Sequence, residues 1–261
     1  MPRRLLTLLL SLSTFVAWLC LATSPLLAAA PAIKHEARTI EGWTVHVDTQ
    51  LLAGEHEAVG RRAQRVLANK LFEIARIVPA DRLAHLRRVA IYLDFDHPLC
   101  HMQYHPDAGW LRDHGYDPAM ATAVHIPSVK HFLSAVRPRE QPFAVLHELS
   151  HAYHDQVLGW GYPPIRKAYE RAKKSKRYES VLRRGGHKGR HYALTNHKEF
   201  FAEMTEAYLG TNDFWPFVRW ELRQADTDTY RLLQRIWTKG EAPPAKPKKE
   251  SPPATPADET K

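Results

Sequence analysis

The spacing of apolar residues predicts a strand, a helix and a second strand in the N-terminal part of the chain. Apolar and polar residues alternate over Thr39–Leu51, as in a strand with one buried face. Glu55–Val78 has apolar residues at helical spacing and ends before Pro79, which predicts a long amphipathic helix. Arg88–Asp94 is rich in β-prone residues and predicts the second strand. We therefore expect a small mixed sheet in this part of the chain.

Hydrophobic periodicity is absent from His97–Asp117, which contains two prolines and two glycines. We interpret this stretch as a flexible polar loop. It also holds four histidines, so a second metal site is the alternative, although their spacing matches no standard zinc site. These histidines are His97, His101, His105 and His114.

Short apolar segments follow this loop. Ala121–Ile126 predicts a strand, and within it we expect Ala123–His125 to be the edge strand with which an extended peptide substrate could pair. Val129–Val136 predicts a short helix.

Five later segments have apolar residues at helical spacing and predict helices. They are Gln141–Leu158, Ile165–Arg184, Lys198–Leu209, Trp215–Gln224 and Thr227–Trp237. The closing pair is expected to contribute three tryptophans to the core, namely Trp215, Trp220 and Trp237.

The first of these helices contains His147-Glu148-Leu149-Ser150-His151, an H-E-x-x-H pattern. Two histidines four residues apart leave the same helix face about one turn apart, so both rings can reach one ion at about 2.0–2.1 Å. Glu148 would act as general base toward a water molecule at that ion. Because the chain has 16 histidines, a chance match on a surface helix is the alternative. The apolar residues around this pattern argue against chance.

A catalytic zinc usually has three protein ligands, so a third is expected from elsewhere in the chain. No further histidine follows His151 at the spacing found in metzincin peptidases. Glu199 and Glu203 lie four residues apart on the predicted Lys198–Leu209 helix and share a face. One could bind the ion while the other accepts the outer N–H of a ligating imidazole. Spacing alone leaves open that both are solvated surface glutamates.

The segment Y-A-L-T-N-H-K-E-F-F-A-E at 192–203 resembles the corresponding part of the anthrax lethal factor family of zinc metallopeptidases. The resemblance implies that Glu199 is the third zinc ligand and that Tyr192 stabilises the tetrahedral intermediate. It also implies ligand and base roles for the residues of the H-E-x-x-H pattern. The similarity covers residues 142–210, roughly a quarter of the chain, and includes no counterpart of the toxin's substrate-docking domains.

Two other side chains near these motifs have open roles. Asp155 is four residues after His151, so it could orient a ligand or pair with a lysine. Cys100 is the only cysteine left if residues 1–30 are removed, and we expect a buried or inert thiol rather than a nucleophile. The core would then form without an internal disulfide.

The first thirty residues are typical of a secretory signal. Arg3 and Arg4 precede the apolar stretch Leu5–Leu27, and Ala28–Ala30 offers small residues for cleavage. We expect a secreted or periplasmic protein without stable membrane association, with an uncleaved membrane anchor as the alternative. Residues 241–261 are rich in Pro, Lys and Glu and are expected to be a disordered tail.

The chain has a net charge of +9, which becomes +7 without Arg3 and Arg4 because residues 1–30 contain no acidic residue. Residues 166–190 contain eleven Lys or Arg and only two acidic residues. This basic segment is either a solvated face or a positive rim beside the metal site that attracts acidic peptides or anionic cell-envelope polymers. Because export is expected, a nucleic acid partner is not, and the oligomeric state is left open.

These features predict an α+β, zincin-like metallopeptidase domain over residues 31–240. A small N-terminal mixed sheet would back the metal-binding helix, and a helical C-terminal subdomain would follow. The expected site holds one Zn²⁺ on His147, His151 and Glu199. Glu148 and Tyr192 are the expected catalytic residues. Glu203 and Asp155 are expected to contact the ligating side chains rather than the ion. The expected activity is hydrolysis of a peptide or protein substrate. A catalytically silent binding protein that uses the basic segment, and a cell-wall peptide amidase, are the alternatives.

Overall fold

The computed structural model describes residues 33–134 and 140–238. The expected signal, the expected tail and residues 135–136 of the expected short helix lie outside the described residues. Within the described residues the fold is mixed α/β, with a small mixed sheet and a mainly helical second half. None of the helices in these two ranges combines the length and the apolar character that a membrane span requires.

The main sheet is built from short strands near the N-terminus. These are β1 (His35–Ile40), β2 (Trp43–Asp48), β3 (Ile91–Leu93), β4 (Gln103–Tyr104) and β5 (Val124–Ile126). Their order is β1-β2-β3-β5-β4. The β1–β2 and β4–β5 pairs are antiparallel, whereas β2, β3 and β5 run parallel, so the expectation of a mixed sheet is confirmed.

The single strand predicted over Thr39–Leu51 is wrong, because the chain reverses inside this segment. β1 and β2 form a hairpin in which Ile40 pairs with Trp43. Glu41 and Gly42, which form the turn between them, have φ values of 52° and 87°. Positive φ at both central residues is what a two-residue hairpin turn of type I′ requires. Apolar residues alternate from Trp43 to Val47, but Ile40 lies three residues before Trp43, so the turn falls where the alternation breaks.

The edge strand beside the later helices is β4, and the expectation that Ala123–His125 forms this edge is wrong. β5 lies between β3 and β4, so both of its backbone edges are paired. β4 lies within His97–Asp117, which we interpreted as a loop. This stretch also contains a short helix, Ala108–Asp113, that starts with Asp107 accepting the backbone N–H of Trp110.

The helices account for most of the remaining described chain. They are α1 (Glu57–Ile77), α2 (Ala80–Leu86), α3 (Ala108–Asp113), α4 (Val129–Phe132), α5 (Ala144–Tyr153), α6 (Pro163–Ser175), α7 (His197–Leu209), α8 (Arg219–Ala225) and α9 (Thr227–Trp237). The predicted helices at α1, α7 and α9 agree with these bounds to within two residues. All three have apolar residues at regular helical intervals.

The basic segment is only partly helical. The helix predicted over Ile165–Arg184 ends at Ser175, because the next residue, Lys176, has a left-handed conformation with φ 54°. A hairpin follows, formed by β6 (Val181–Leu182) and β7 (Lys188–Gly189). Gly186 has φ 86° and lies in the turn of this hairpin, where a residue without a side chain adopts positive φ readily.

The three tryptophans expected in the core differ in exposure. Trp237 is fully buried, Trp215 is partly buried against the core, and Trp220 is 60% exposed. The core assignment of Trp220 is therefore wrong. On the short helix α8, Leu222 is the buried residue, and the guanidinium of Arg223 covers the Trp220 ring at 4.8 Å from its centroid.

One large hydrophobic core connects the sheet to the helical half. Helix α5 lies against β4 and β5, and it also packs along α7. Buried residues of α5 include Leu146 and Leu149, and those of α7 include Phe200 and Met204. This packing sets the position of α5 relative to α7, and the metal-binding candidates lie on these two helices.

Candidate metal centre

The two histidines of the H-E-x-x-H pattern lie on α5. The helix predicted over Gln141–Leu158 begins later than expected, at Ala144, and continues as a π-helical turn over His154–Leu158. The centroids of the His147 and His151 rings are 4.8 Å apart. Both rings therefore reach the same region from successive turns, as the spacing predicts.

The third side chain comes from the first turn of α7. Asn196 caps this helix, because its side-chain oxygen accepts the backbone N–H groups of Lys198 and Glu199. Oε2 of Glu199 lies 3.1 Å from Nε2 of His147 and 3.2 Å from Nε2 of His151. The structure thus brings together the three side chains that we expected to bind zinc.

The distances and the chemistry of this cluster fit a tetrahedral metal ion. Ligand atoms at about 2.0–2.1 Å from a tetrahedral centre are about 3.3–3.4 Å from one another. The side chains of His147, His151 and Glu199 are only 12%, 11% and 17% exposed. Two imidazoles and one carboxylate are also a set that catalytic zinc accepts. The cluster could therefore hold a metal ion.

A second carboxylate orients the first histidine. Oε1 of Glu206 lies 2.7 Å from Nδ1 of His147, and an ionised carboxylate can only accept, so Nδ1 donates. Nε2 of His147 then faces Glu199, and the contact is favourable only if a proton or a cation lies between them. Burial alone would lower the pKa of His147, but its hydrogen bonds to Glu199 and Glu206 raise this pKa well above the ordinary value.

Glu206 takes the position that we expected for Glu203. The nearest Glu203 oxygen is 3.7 Å from Nδ1 of His147, beyond hydrogen-bond distance. Burial and the nearby charges of Asp213 and Glu206 raise the pKa of Glu203 well above its ordinary value. Because Glu199, Glu203 and Glu206 are spaced i, i+4 and i+7, the sequence already places all three on one face of the helix.

Replacing Glu206 by Gln is expected to weaken zinc binding about 10–100-fold, because an uncharged group holds the outer nitrogen of His147 less strongly. Zinc affinity would be measured by competition with a chromophoric chelator. Glu203→Gln is the matched control, since burial already favours the neutral form of Glu203. Equal affinities in the Glu206→Gln variant and the unmodified chain would contradict the role given to Glu206.

Asp155, the other outer residue that we expected, contacts the edge strand. Its Oδ2 accepts the hydroxyl of Tyr104 at 2.8 Å, which connects the π-helical turn to β4. Nδ1 of His151 is buried and has no hydrogen-bond partner within the described ranges. The two histidines therefore differ, since only His147 has its outer nitrogen held by a carboxylate.

Glu148 lies between the three ligand candidates and β4. Its Oε2 accepts the backbone N–H of Tyr104 at 2.9 Å, which holds the carboxylate in place. Burial raises the pKa of Glu148, although the neighbouring histidines oppose this shift. A carboxyl group with a raised pKa is suited to accepting a proton and later donating it. The sequence cannot reveal the Tyr104 contact, because the donor is a backbone group.

Tyr192 lies beside the same cluster, in a 3-10 turn that precedes α7. Its side chain is 48% exposed, and its ring centroid is 6.5 Å from that of His147. The buried His191 holds this turn by accepting the backbone N–H of Ala193 at 3.1 Å. Burial raises the pKa of Tyr192, and the nearby charge of Glu199 raises it further. The hydroxyl therefore keeps its proton and can donate a hydrogen bond.

A cavity of about 470 Å³ opens onto these groups. Its wall includes all five catalytic and metal-binding candidates and both residues of β4. Cys100 also lines the cavity and is exposed, so of the two expectations, a buried thiol or an inert one, the first is wrong. Three basic side chains line it as well, namely Lys70, His101 and His131.

The basic segment 166–190 contributes no residue to the lining of this cavity. Several of its charges have acidic neighbours instead. Arg177 lies 3.6 Å from Asp226, and Arg190 lies 3.3 Å from Glu179. Within the described residues, these contacts favour the solvated-face interpretation over a positive rim around the metal-binding cluster.

Comparison of this chain with models of protein families, with curated proteins and with solved structures found no match.

Proposed function

We propose that the chain is an exported zinc metallopeptidase of the zincin type in which His147, His151 and Glu199 bind the ion. The observation that carries this proposal is the position of Oε2 of Glu199, within 3.2 Å of Nε2 of both histidines. Two helices place these atoms together although the residues are about fifty positions apart in the sequence, and the three side chains are at most 17% exposed. The motif resemblance to the anthrax lethal factor family supports the same assignment.

Zinc would supply a Lewis acid that polarises the peptide carbonyl and lowers the pKa of water toward neutrality. Glu148 would accept a proton from the attacking water and deliver it to the nitrogen of the leaving amine. The backbone N–H of Tyr104 would keep this carboxylate beside β4 during both transfers. Proton transfer of this kind typically contributes 10²–10⁴-fold to the rate.

Tyr192 would donate a hydrogen bond to the oxygen that becomes negatively charged when water attacks the carbonyl. Its position beside His147 and on the cavity wall supports this role. The donor stays protonated at neutral pH, because its pKa is raised from 10.0. An oxyanion donor of this kind is commonly worth about 3–4 kcal/mol.

The position of β4 on the cavity wall favours an extended peptide as substrate. β4 ends the sheet and lines the cavity next to Glu148, so an extended peptide could lie alongside it. Lys70, His101 and His131 line the cavity together with four glutamates, so the lining gives no net preference for acidic substrate residues. One of the basic side chains, Lys70, is partly neutralised by Glu73, whose carboxylate lies 3.2 Å away.

A peptide-library digest would test the proposed activity. Zinc content is measured by mass spectrometry, and cleavage is followed with the zinc-loaded chain, with a chelator and after zinc is restored. We expect cleavage that the chelator abolishes and added zinc restores. Zinc binding without cleavage would favour the silent binding protein, and cleavage of cell-wall peptides alone would favour the amidase. A chain that binds no zinc would refute the proposed function.

A further inference from the structure

A second cluster of histidines surrounds the buried Asp94, at the carboxyl end of β3 and on the neighbouring strand β5. Asp94 is fully buried and directly follows β3. Its backbone N–H donates a hydrogen bond to the carbonyl oxygen of Ile126 at 3.0 Å. His125 is fully buried in β5. Since β3 and β5 are parallel, their carboxyl ends meet at one edge of the sheet, where Asp94 and His125 lie close together.

The contacts within this cluster form a chain. Oδ2 of Asp94 lies 2.8 Å from Nε2 of His125, and Oδ1 lies 2.7 Å from Nε2 of His35. Nδ1 of His125 lies 3.3 Å from Nε2 of His105. The ring centroids of His97 and His125 are 4.6 Å apart. One carboxylate and four imidazoles therefore share a largely buried region.

Backbone hydrogen bonds hold these residues in place. The N–H of His97 donates to Pro127 at 2.8 Å, and the N–H of His105 donates to Ala123 at 3.0 Å. Pro127 and Ala123 flank β5, so the sheet itself supports the arrangement. The backbone positions of these residues are therefore fixed by the sheet.

We propose that Asp94, His97 and His125 form a second binding site for a divalent transition-metal ion. Each of the three offers one ligand atom, and these atoms lie within 4.8 Å of one another. Two neutral imidazoles and a carboxylate suit Zn²⁺ and other first-row divalent ions. The site is separate from the His147 cluster and does not depend on the proposed peptidase activity.

The remaining two histidines would act through the ligands. His35 would donate to the second oxygen of Asp94, and His105 would accept from Nδ1 of His125 when Nε2 binds the ion. Hydrogen bonds of this kind orient ligands and raise their basicity. Because β4 immediately precedes His105, a bound ion would also help to fix β4, whose backbone holds Glu148.

His97 is expected to be the weakest of the three ligands. The Leu99 N–H donates to Nδ1 of His97 at 3.1 Å. A ring that binds the ion through Nε2 must carry its proton on Nδ1 and therefore gives up this hydrogen bond. We expect His97→Gln to weaken zinc binding at this site less than His125→Gln does.

The test counts zinc ions per purified chain by mass spectrometry after zinc loading and desalting. His125→Gln and Asp94→Asn are each expected to lose one zinc relative to the unmodified chain. His114→Gln, at an exposed histidine outside the cluster, is expected to lose none. A folded His125→Gln variant that keeps all the zinc of the unmodified chain would overturn the proposal.

A second measurement is needed in case the buried substitutions prevent folding. The double variant His147→Gln/His151→Gln removes the first cluster and leaves the second intact. Cobalt titration of this variant is expected to show one bound Co²⁺ with visible absorption bands, displaced by zinc. A folded double variant that binds no Co²⁺ would refute the second site, whatever the outcome for the peptidase proposal.

Discussion

A Glu148→Gln variant is expected to retain zinc and to lose about 10²–10⁴-fold in kcat for peptide cleavage. The amide oxygen can still accept the backbone N–H of Tyr104, so the local structure should be preserved. The amide cannot take a proton from water, so the chemical step should fail. Zinc content, circular dichroism and kcat would be measured on the same preparation.

The matched control for this variant is Glu170→Gln, which makes the same chemical change on the exposed face of α6. It should leave kcat unchanged. Full turnover in a zinc-loaded Glu148→Gln variant would refute the assigned base. Loss of zinc from that variant would instead show that the carboxylate is needed for metal binding.

A Tyr192→Phe variant is expected to fold, to bind zinc normally and to lose about 10²–10³-fold in kcat with little change in KM. The hydroxyl would act mainly in the transition state, when negative charge develops on the carbonyl oxygen. Because the side chain is 48% exposed, removing its hydroxyl should have little effect on stability.

Tyr230→Phe, which removes a hydroxyl from α9, serves as the control and should not change kcat. Steady-state kinetics would separate the kcat and KM effects. An unchanged kcat for Tyr192→Phe would exclude the oxyanion role, and a rise in KM alone would assign Tyr192 to substrate binding.

Regular periodicity made the long helices predictable from the sequence, whereas the short strands depend on distant partners. α9 has a regular apolar face and begins after Asp226, which accepts the backbone N–H of Thr229. β4 has only two residues and exists because Gln103 and Tyr104 pair with β5. Two residues contain no detectable alternation, so no local pattern could have distinguished this strand from a loop.

The candidate metal centre was partly predictable, because helix geometry determines which residues of one helix share a face. The pair His147 and His151 follows from spacing on one helix, and Glu199 was assigned from the resemblance. Glu206 was overlooked although its i+7 spacing from Glu199 places it on the same face. The contact from β4 to Glu148 had no such signal, since it depends on tertiary packing and on a backbone donor.

The proposed zinc ligands are divided between α5 and α7, so metal binding and the packing of these helices are thermodynamically linked. An ion that binds only the folded chain stabilises it by about 4 kcal/mol when its free concentration is a thousand times the Kd. The melting temperature should therefore rise with free zinc. A chain that folds in a zinc-poor compartment would lack this stabilisation until the ion binds.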